Sequence, residues 1–234
     1  MRVLYGVAGE GLGHAMRSQV VLRHLVDAGH DVRVVTSGRA AEVLSARGFD
    51  VEPIRGLSLT CRRGGVARTR SLASFLAASP SMAGHNQRVF RAVMEAYDPE
   101  VCISDFDSFA HAVGLWAGRP VLSLDHQHVI DRFHHPRDLR VRHLHVARAL
   151  VSAKLPGCER YVVTSFYAPR ARPALAANTS LVGPILREPV RALEARRGDH
   201  VLVYQSAHGD PGLLAALAAM PDVPFRVYGV PPAH

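Results

Sequence analysis

Residues 1–17 read MRVLYGVAGEGLGHAMR, and their order decides the fold. A short apolar run (Val3, Leu4, Tyr5, Val7) stops at a loop with glycines at 9, 11 and 13. His14 then opens a stretch of helical period that puts Val20, Val21, His24, Leu25 and Ala28 on one face and ends at Gly29. A buried strand that passes through a glycine loop into a helix N-terminus is the opening of a doubly wound parallel α/β sheet. Backbone N–H groups in such a loop can approach a phosphate or another anion. Gly9, Gly11 and Gly13, together with Arg17, are therefore candidates for holding one.

The same glycine spacing is compatible with a dinucleotide fingerprint, but two features speak against it. The fingerprint wants a third glycine where His14 stands, and an acidic residue near the end of the second strand. Here the strand at 31–36 runs into Ser37, Gly38 and Arg39. Arg39 could meet a 2′-phosphate, yet it does not account for the histidine. A side chain at position 14 can reach the crevice at the carboxyl end of the first strand. There an imidazole is placed to act as a general base, because a helix N-terminus disfavours the imidazolium. A helix cap or a half-buried loop position is the plainer reading of the same residue.

The chain has 234 residues, 48% of them apolar, enough to bury a sizeable core. No run of 18 apolar residues marks a membrane span, and no signal-peptide pattern opens the chain. Cys61, Cys102 and Cys158 are few and far apart, so they read as reduced thiols and point to the cytoplasm. The net charge of +8 is carried almost wholly by arginine, with Lys154 the only lysine. Arginines cluster at 62–70 and across 132–148 without an aromatic stacking platform, so no specific nucleic acid is expected. Such a surface suits phosphates, acidic sugars or an anionic membrane surface, and also suits nothing beyond water.

Strand and helix patterns alternate along the chain, the mark of a parallel sheet. Strands are expected near 2–8, 31–36, 49–54, 101–104, 121–124 and 161–164, with Leu181 and Val182 as an edge. Helices are expected near 14–28, 39–47, 71–97 (interrupted at Pro80), 108–117 and 138–154, and a loop over the crevice at 55–70. Around Gly183-Pro184 the pattern breaks. This divides the chain into a Rossmann-like domain at 1–183, a linker at 184–198 and a single βαβ unit at 199–234, with strands at 201–204 and 225–228. The last unit reads as the start of an incomplete second domain.

Four stretches together resemble the GT-B glycosyltransferases, in the subgroup of MurG and the UDP-glucuronosyltransferase-like enzymes. They are GEGLGHAMRS at 9–18, ISDFDSFA at 103–110, LDHQHV at 124–129 and VLVYQS at 201–206. The resemblance implies two facing Rossmann-like halves, the N-terminal one for the acceptor and the C-terminal one for the nucleotide sugar. It implies an inverting transfer in which His14 deprotonates the acceptor hydroxyl and Asp105 holds the histidine. The donor would be a nucleotide sugar, a UDP-sugar first, and the acceptor a small-molecule or lipid-linked hydroxyl, with no cofactor. Asp107, His126 and Gln127 are further candidates for lining the crevice, although Asp105 and Asp107 both compete to cap the helix that follows them.

The histidines at 126, 128, 134, 135, 143 and 145 crowd one window, but adjacent arginines oppose a cation and no metal site is expected. His126 and Gln127 are read as crevice residues and the others as surface or helix positions. Two functions stand side by side. One is an inverting glycosyltransferase. The other is a non-catalytic acceptor-binding module, or a half-enzyme completed by a separate C-terminal subunit. A half-formed second domain would also expose apolar faces and favour self-association.

Overall fold

The computed structural model describes residues 1–9, 12–56, 61–62, 65–66, 81–136, 144–205 and 211–229. The chain forms two compact units, Met1–Leu57 with Ala78–Arg191, and Ser58–Ala77 with Ala192–His234. In chain order the strands of the first unit begin with β1 (Arg2–Val7), β2 (Asp31–Thr36) and β3 (Val51–Pro53). β4 (Cys61–Arg62) and β5 (Gly65–Val66) form a separate short antiparallel pair in the second unit. The first unit continues with β6 (Val101–Asp105), β7 (Val121–Asp125), β8 (Arg160–Thr164) and β9 (Thr179–Val182). Its seven strands are all parallel and lie in the order β3-β2-β1-β6-β7-β8-β9.

That order reverses direction between β1 and β6, which is the position where an open α/β sheet leaves a crevice at its carboxyl edge. β1 is central and buried on both faces, which is why its apolar residues run nearly without a break. Val3, Tyr5 and Val7 face α1 (Leu12–Asp27) and α2 (Gly38–Ser45). Leu4 looks to the opposite core, with the helical stretch α3 (81–92, continued by a π turn at Val93–Tyr97) and α4 (Ser108–Ala117). Gly6 lets α4 lie flush on the strand: a Cβ there would stand 2.4 Å from Asp107 Oδ1 and 2.6 Å from the Ala110 Cβ.

The structure departs from the sequence expectations in four places. α1 turns Ala15, Ser18 and Leu22 fully inward, with Val21 and Leu25 packed beside them, while His24 and Ala28 are exposed. The helix is rotated from its apolar stripe because Ser18 finds a buried carboxylate to donate to, a partner that periodicity does not reveal. A one-turn helix, α5 (Val129–Arg132), follows β7 directly. β9 is a full edge strand of four residues, held by Arg132 Nε on Thr179 Oγ1 at 2.7 Å. Within the expected loop at 55–70, β4 and β5 pair, and the remainder from 57 lies outside the described residues. The helix expected at 138–154 is α6 (Leu144–Lys154), while 137–143 and 71–80 also lie outside them.

In the second unit β10 (Val201–Tyr204) and β11 (Phe225–Tyr228) pair in parallel, joined through α8 (Pro211–Ala218). Leu202 and Tyr204 on this pair are exposed. α7 (Glu188–Arg191) is a single turn within the stretch read as a linker. No helix among the described residues is long and apolar enough to cross a membrane.

The close β1–α4 contact predicts that Gly6→Ala lowers unfolding stability by about 1–3 kcal/mol, the cost of overpacking a tight core. Gly13→Ala, where the added Cβ meets no atom of the described residues within 4 Å outside its own helical turn, should instead be neutral or raise stability by about 0.5 kcal/mol. Denaturant unfolding of the two variants checks the pair.

Candidate active site

Two turns at the carboxyl edge of the sheet, with the first turns of α1, build the site. The first turn follows β6. Ser104 Oγ accepts the Asp107 backbone N–H at 2.8 Å and donates to the Asp107 carbonyl at 2.7 Å, which stitches the turn closed. Phe106 at its apex has φ 55°, a left-handed conformation that costs a non-glycine residue about 1–2 kcal/mol. Its ring packs edge-on against His128 and lies under the Lys154 ammonium, 4.2 Å from the ring centre. The sharp reversal separates Asp105 from Asp107 and sends them to different work.

Asp105 is fully buried, and both of its oxygens are filled. Oδ1 lies 2.8 Å from His14 Nδ1 and also accepts from Arg17 Nη2. Oδ2 accepts from Arg17 Nε at 2.9 Å and from Ser18 Oγ at 2.8 Å. His14, Arg17 and Ser18 stand at i, i+3 and i+4 of α1, so one helix face delivers all three side chains to one carboxylate. Burial disfavours the Arg17 charge, but the hydrogen bonds and negative charge of Asp105 outweigh it and raise the guanidinium above its ordinary value. Beneath them Tyr5 is fully buried, and its hydroxyl has no hydrogen-bond partner within bonding distance among the described residues. Burial first, then the charge of Asp105, push that phenol far above its usual range.

The second turn follows β7. Asp125 Oδ1 accepts the His128 backbone N–H at 2.9 Å, and Oδ2 takes His128 Nδ1 at 2.7 Å and Ser123 Oγ at 2.5 Å. Burial opposes the charge of Asp125, but His128 and Ser123 outweigh it and hold the carboxyl below its usual value. His128 is thus wholly buried rather than a surface position, since its ring ties the turn and packs on Tyr161 at 4.9 Å between ring centres. The closed turn presents His126 and Gln127. His126 Nδ1 lies 2.6 Å from the Thr164 carbonyl, and Gln127 Nε2 lies 3.1 Å from His14 Nε2.

A cleft of about 300 Å³ opens beside these groups, lined by Gly13, Arg17, His126, Thr164, Ser165 and Phe166, with Pro184 and Ile185 closing it. Phe166 is 83% exposed, so an aromatic face stands free at the mouth.

Of the residues singled out from sequence, His14, Asp105, Arg17 and Gln127 form one connected cluster, and Gly13 and His126 line the adjoining cleft. Gly9 packs on the β2–α2 turn, where a Cβ would stand 2.1 Å from Ser37 Oγ. Gly11 lies outside the described residues. Asp107 turns away to cap α4, accepting the Ala110 N–H at 2.9 Å. Sequence reasoning passed over Ser18 and the Asp125–His128 tie. The i, i+3, i+4 spacing of His14, Arg17 and Ser18 was the available signal for the first. The Asp-x-x-His spacing at 125–128 was the signal for the second.

Known proteins share the fold that carries this site. A family model described as glycosyl transferase family 1 matches residues 1–232. A curated relative from Methanosarcina acetivorans, named an uncharacterized glycosyltransferase, is 21% identical over 259 residues, covering 99% of this chain and 68% of its own. Among solved structures, the kitacinnamycin glycosyltransferase superposes with TM-score 0.61 at 16% identity. The match covers 97% of this chain and 64% of that one. An Arabidopsis thaliana glycosyltransferase solved with UDP-L-rhamnose gives TM-score 0.55 at 18% identity, over 97% of this chain and 65% of that one. The fold is that of the GT-B glycosyltransferases, and the chain spans just under two thirds of the length of these two solved enzymes.

The capping aspartate yields a pH prediction. Burial pushes Asp107 from an ordinary 3.8 up to about 6, the capping N–H bonds offsetting only part of it. The folded protein therefore holds a proton that the unfolded chain releases between about pH 4 and 6, so this contribution to stability is present below pH 4 and lost as pH rises through 6. Asp107→Asn keeps an acceptor for the cap without the buried charge. Relative to wild type, it should match at pH 4 and gain about 2–3 kcal/mol by pH 7.5, read from denaturant unfolding at both pH values. An advantage that shrinks with rising pH contradicts the assignment.

Proposed function

The chain belongs to glycosyl transferase family 1, and on that premise we propose that it carries the acceptor side and the general base of an inverting sugar transfer. The observation that supports this is the 2.8 Å contact of His14 Nδ1 with the buried Asp105 at the reversal point of the sheet. A carboxylate that accepts from Nδ1 leaves Nε2 as the ring nitrogen with a free lone pair.

In this reading the acceptor hydroxyl gives its proton to His14 Nε2 while its oxygen attacks the anomeric carbon of a nucleotide sugar. The bond from that carbon to the phosphate oxygen breaks, and its electron pair departs with the nucleoside diphosphate. Attack opposite the leaving group inverts the anomeric configuration. A sugar or lipid hydroxyl is a weak nucleophile, so a positioned base is worth about 10²–10⁴ in rate. Asp105 stabilises the imidazolium that forms, and Arg17 and Ser18 keep Asp105 in place for it.

The cleft beside His14 is read as the acceptor site. Its partly aromatic lining and the nearby Arg17 suit a hydroxyl-bearing small molecule or the head of a lipid-linked acceptor. A UDP-sugar is the first donor to test, since the Arabidopsis enzyme of the same fold was solved with one. No step of this scheme calls on a metal or cofactor.

The test incubates the protein with a UDP-sugar series and hydroxyl acceptors and reads the anomeric proton coupling of the product. The reading predicts inverted product, and a loss of at least about 100-fold in kcat/KM for His14→Ala with unchanged folding by circular dichroism. Retained configuration, or turnover by His14→Ala near the wild-type rate, contradicts it. Acceptor binding without transfer from any donor favours the non-catalytic reading instead.

A further inference from the structure

We propose that Gln127 is a removable cap on His14, occupying the ring nitrogen that takes the acceptor proton until a hydroxyl displaces it. The inference rests on the reading of His14 as base, but its support is a chain of hydrogen bonds whose directions fix one another.

The side-chain amide of Gln127 can face His14 with either end. The His126 backbone N–H settles which, because it is a donor 3.2 Å from Gln127 Oε1 and needs an acceptor there. The NH₂ end therefore faces His14, 3.1 Å from Nε2. As a pure donor, it requires a lone pair on Nε2. The ring proton then sits on Nδ1 and points to Asp105 Oδ1 at 2.8 Å. Arg17 Nη2 lies 3.0 Å from Nδ1, where its second N–H would need a lone pair. But the Asp105 acceptor facing Nδ1 and the Gln127 donor facing Nε2 both call for the proton on Nδ1, and Arg17 has Asp105 Oδ1 as an acceptor of its own.

One sequence of donors thus runs from the His126 backbone through Gln127 and His14 to Asp105. Its consequence is chemical. The Nε2 lone pair is formed by this arrangement and held by it at once, so an acceptor hydroxyl must replace the Gln127 amide before it can lose its proton. The tied turn at 125–128 keeps the Gln127 backbone from drifting away, while its side chain can swing. An amide donor suits this role because it binds the neutral ring, gives no proton up, and leaves without a charge to desolvate.

The test needs no transfer activity. Diethyl pyrocarbonate acylates an unprotonated, accessible imidazole nitrogen, and peptide mass spectrometry reads the rate at His14, with exposed His24 as an internal reference. Gln127→Met keeps the bulk and removes the donor, so His14 modification should rise roughly fivefold, the effect of losing one such hydrogen bond. Gln127→Ala should rise at least as much. Two-bond ¹H–¹⁵N spectra of the wild-type ring should show Nδ1 protonated and Nε2 bare. Unchanged protection in Gln127→Met makes Gln127 a mere steric cover and overturns the proposal, as does an Nε2-protonated ring. If the spectra and modification rates come out as expected but no donor is ever used, the cap stands and the transferase reading falls.

Discussion

A carboxylate with no exposure to water must find donors for its lone pairs or lose its charge, and Asp105 finds all of them on one helix. They come from three side chains of α1, His14, Arg17 and Ser18. Meeting that demand fixes the rotation of α1 on the sheet, turning Ser18 inward and His24 outward against the apolar stripe. The β1 end of the sheet joins in, since the Ala8 N–H bonds the Asp105 carbonyl at 3.1 Å. Removing any one donor leaves a buried lone pair unfilled at about 1–3 kcal/mol, more for a charged group, so the cluster stands or fails as a unit.

Strain and order are concentrated in the turns around this hub. Phe106 holds a left-handed backbone so that Asp105 enters the crevice while Asp107 caps α4. Ser104 closes that turn, and Asp125 with His128 closes its neighbour after β7. Both turns carry buried polar groups engaged with their own backbone, which makes them rigid supports rather than adaptable loops. The side chains presented by the second turn, His126 and Gln127, remain part-exposed beside the cleft.

Much of the sheet was legible because a parallel strand buried on both faces must be apolar almost throughout, and β1 is. The pairing of His14 with Asp105 could be anticipated from strand ends and family likeness, since both sit where strands deliver side chains to one crevice. Ser18 had only its i+4 spacing from His14 to mark it, because a lone serine on a helix reads as surface until its buried partner is known. His128 was misplaced for the related reason that histidine is read as polar, whereas here Asp125 offsets its cost of burial. The direction of the Gln127 amide depends on a backbone N–H, and no residue pattern encodes that.

The central claim is that Asp105 acts through His14 rather than on its own account. A double-mutant cycle on transfer, using His14→Ala, Asp105→Asn and the two combined, tests it most directly. The account predicts that Asp105→Asn slows transfer strongly in the wild-type background and adds almost nothing once His14 is gone. Losses that multiply independently in the double variant would contradict it.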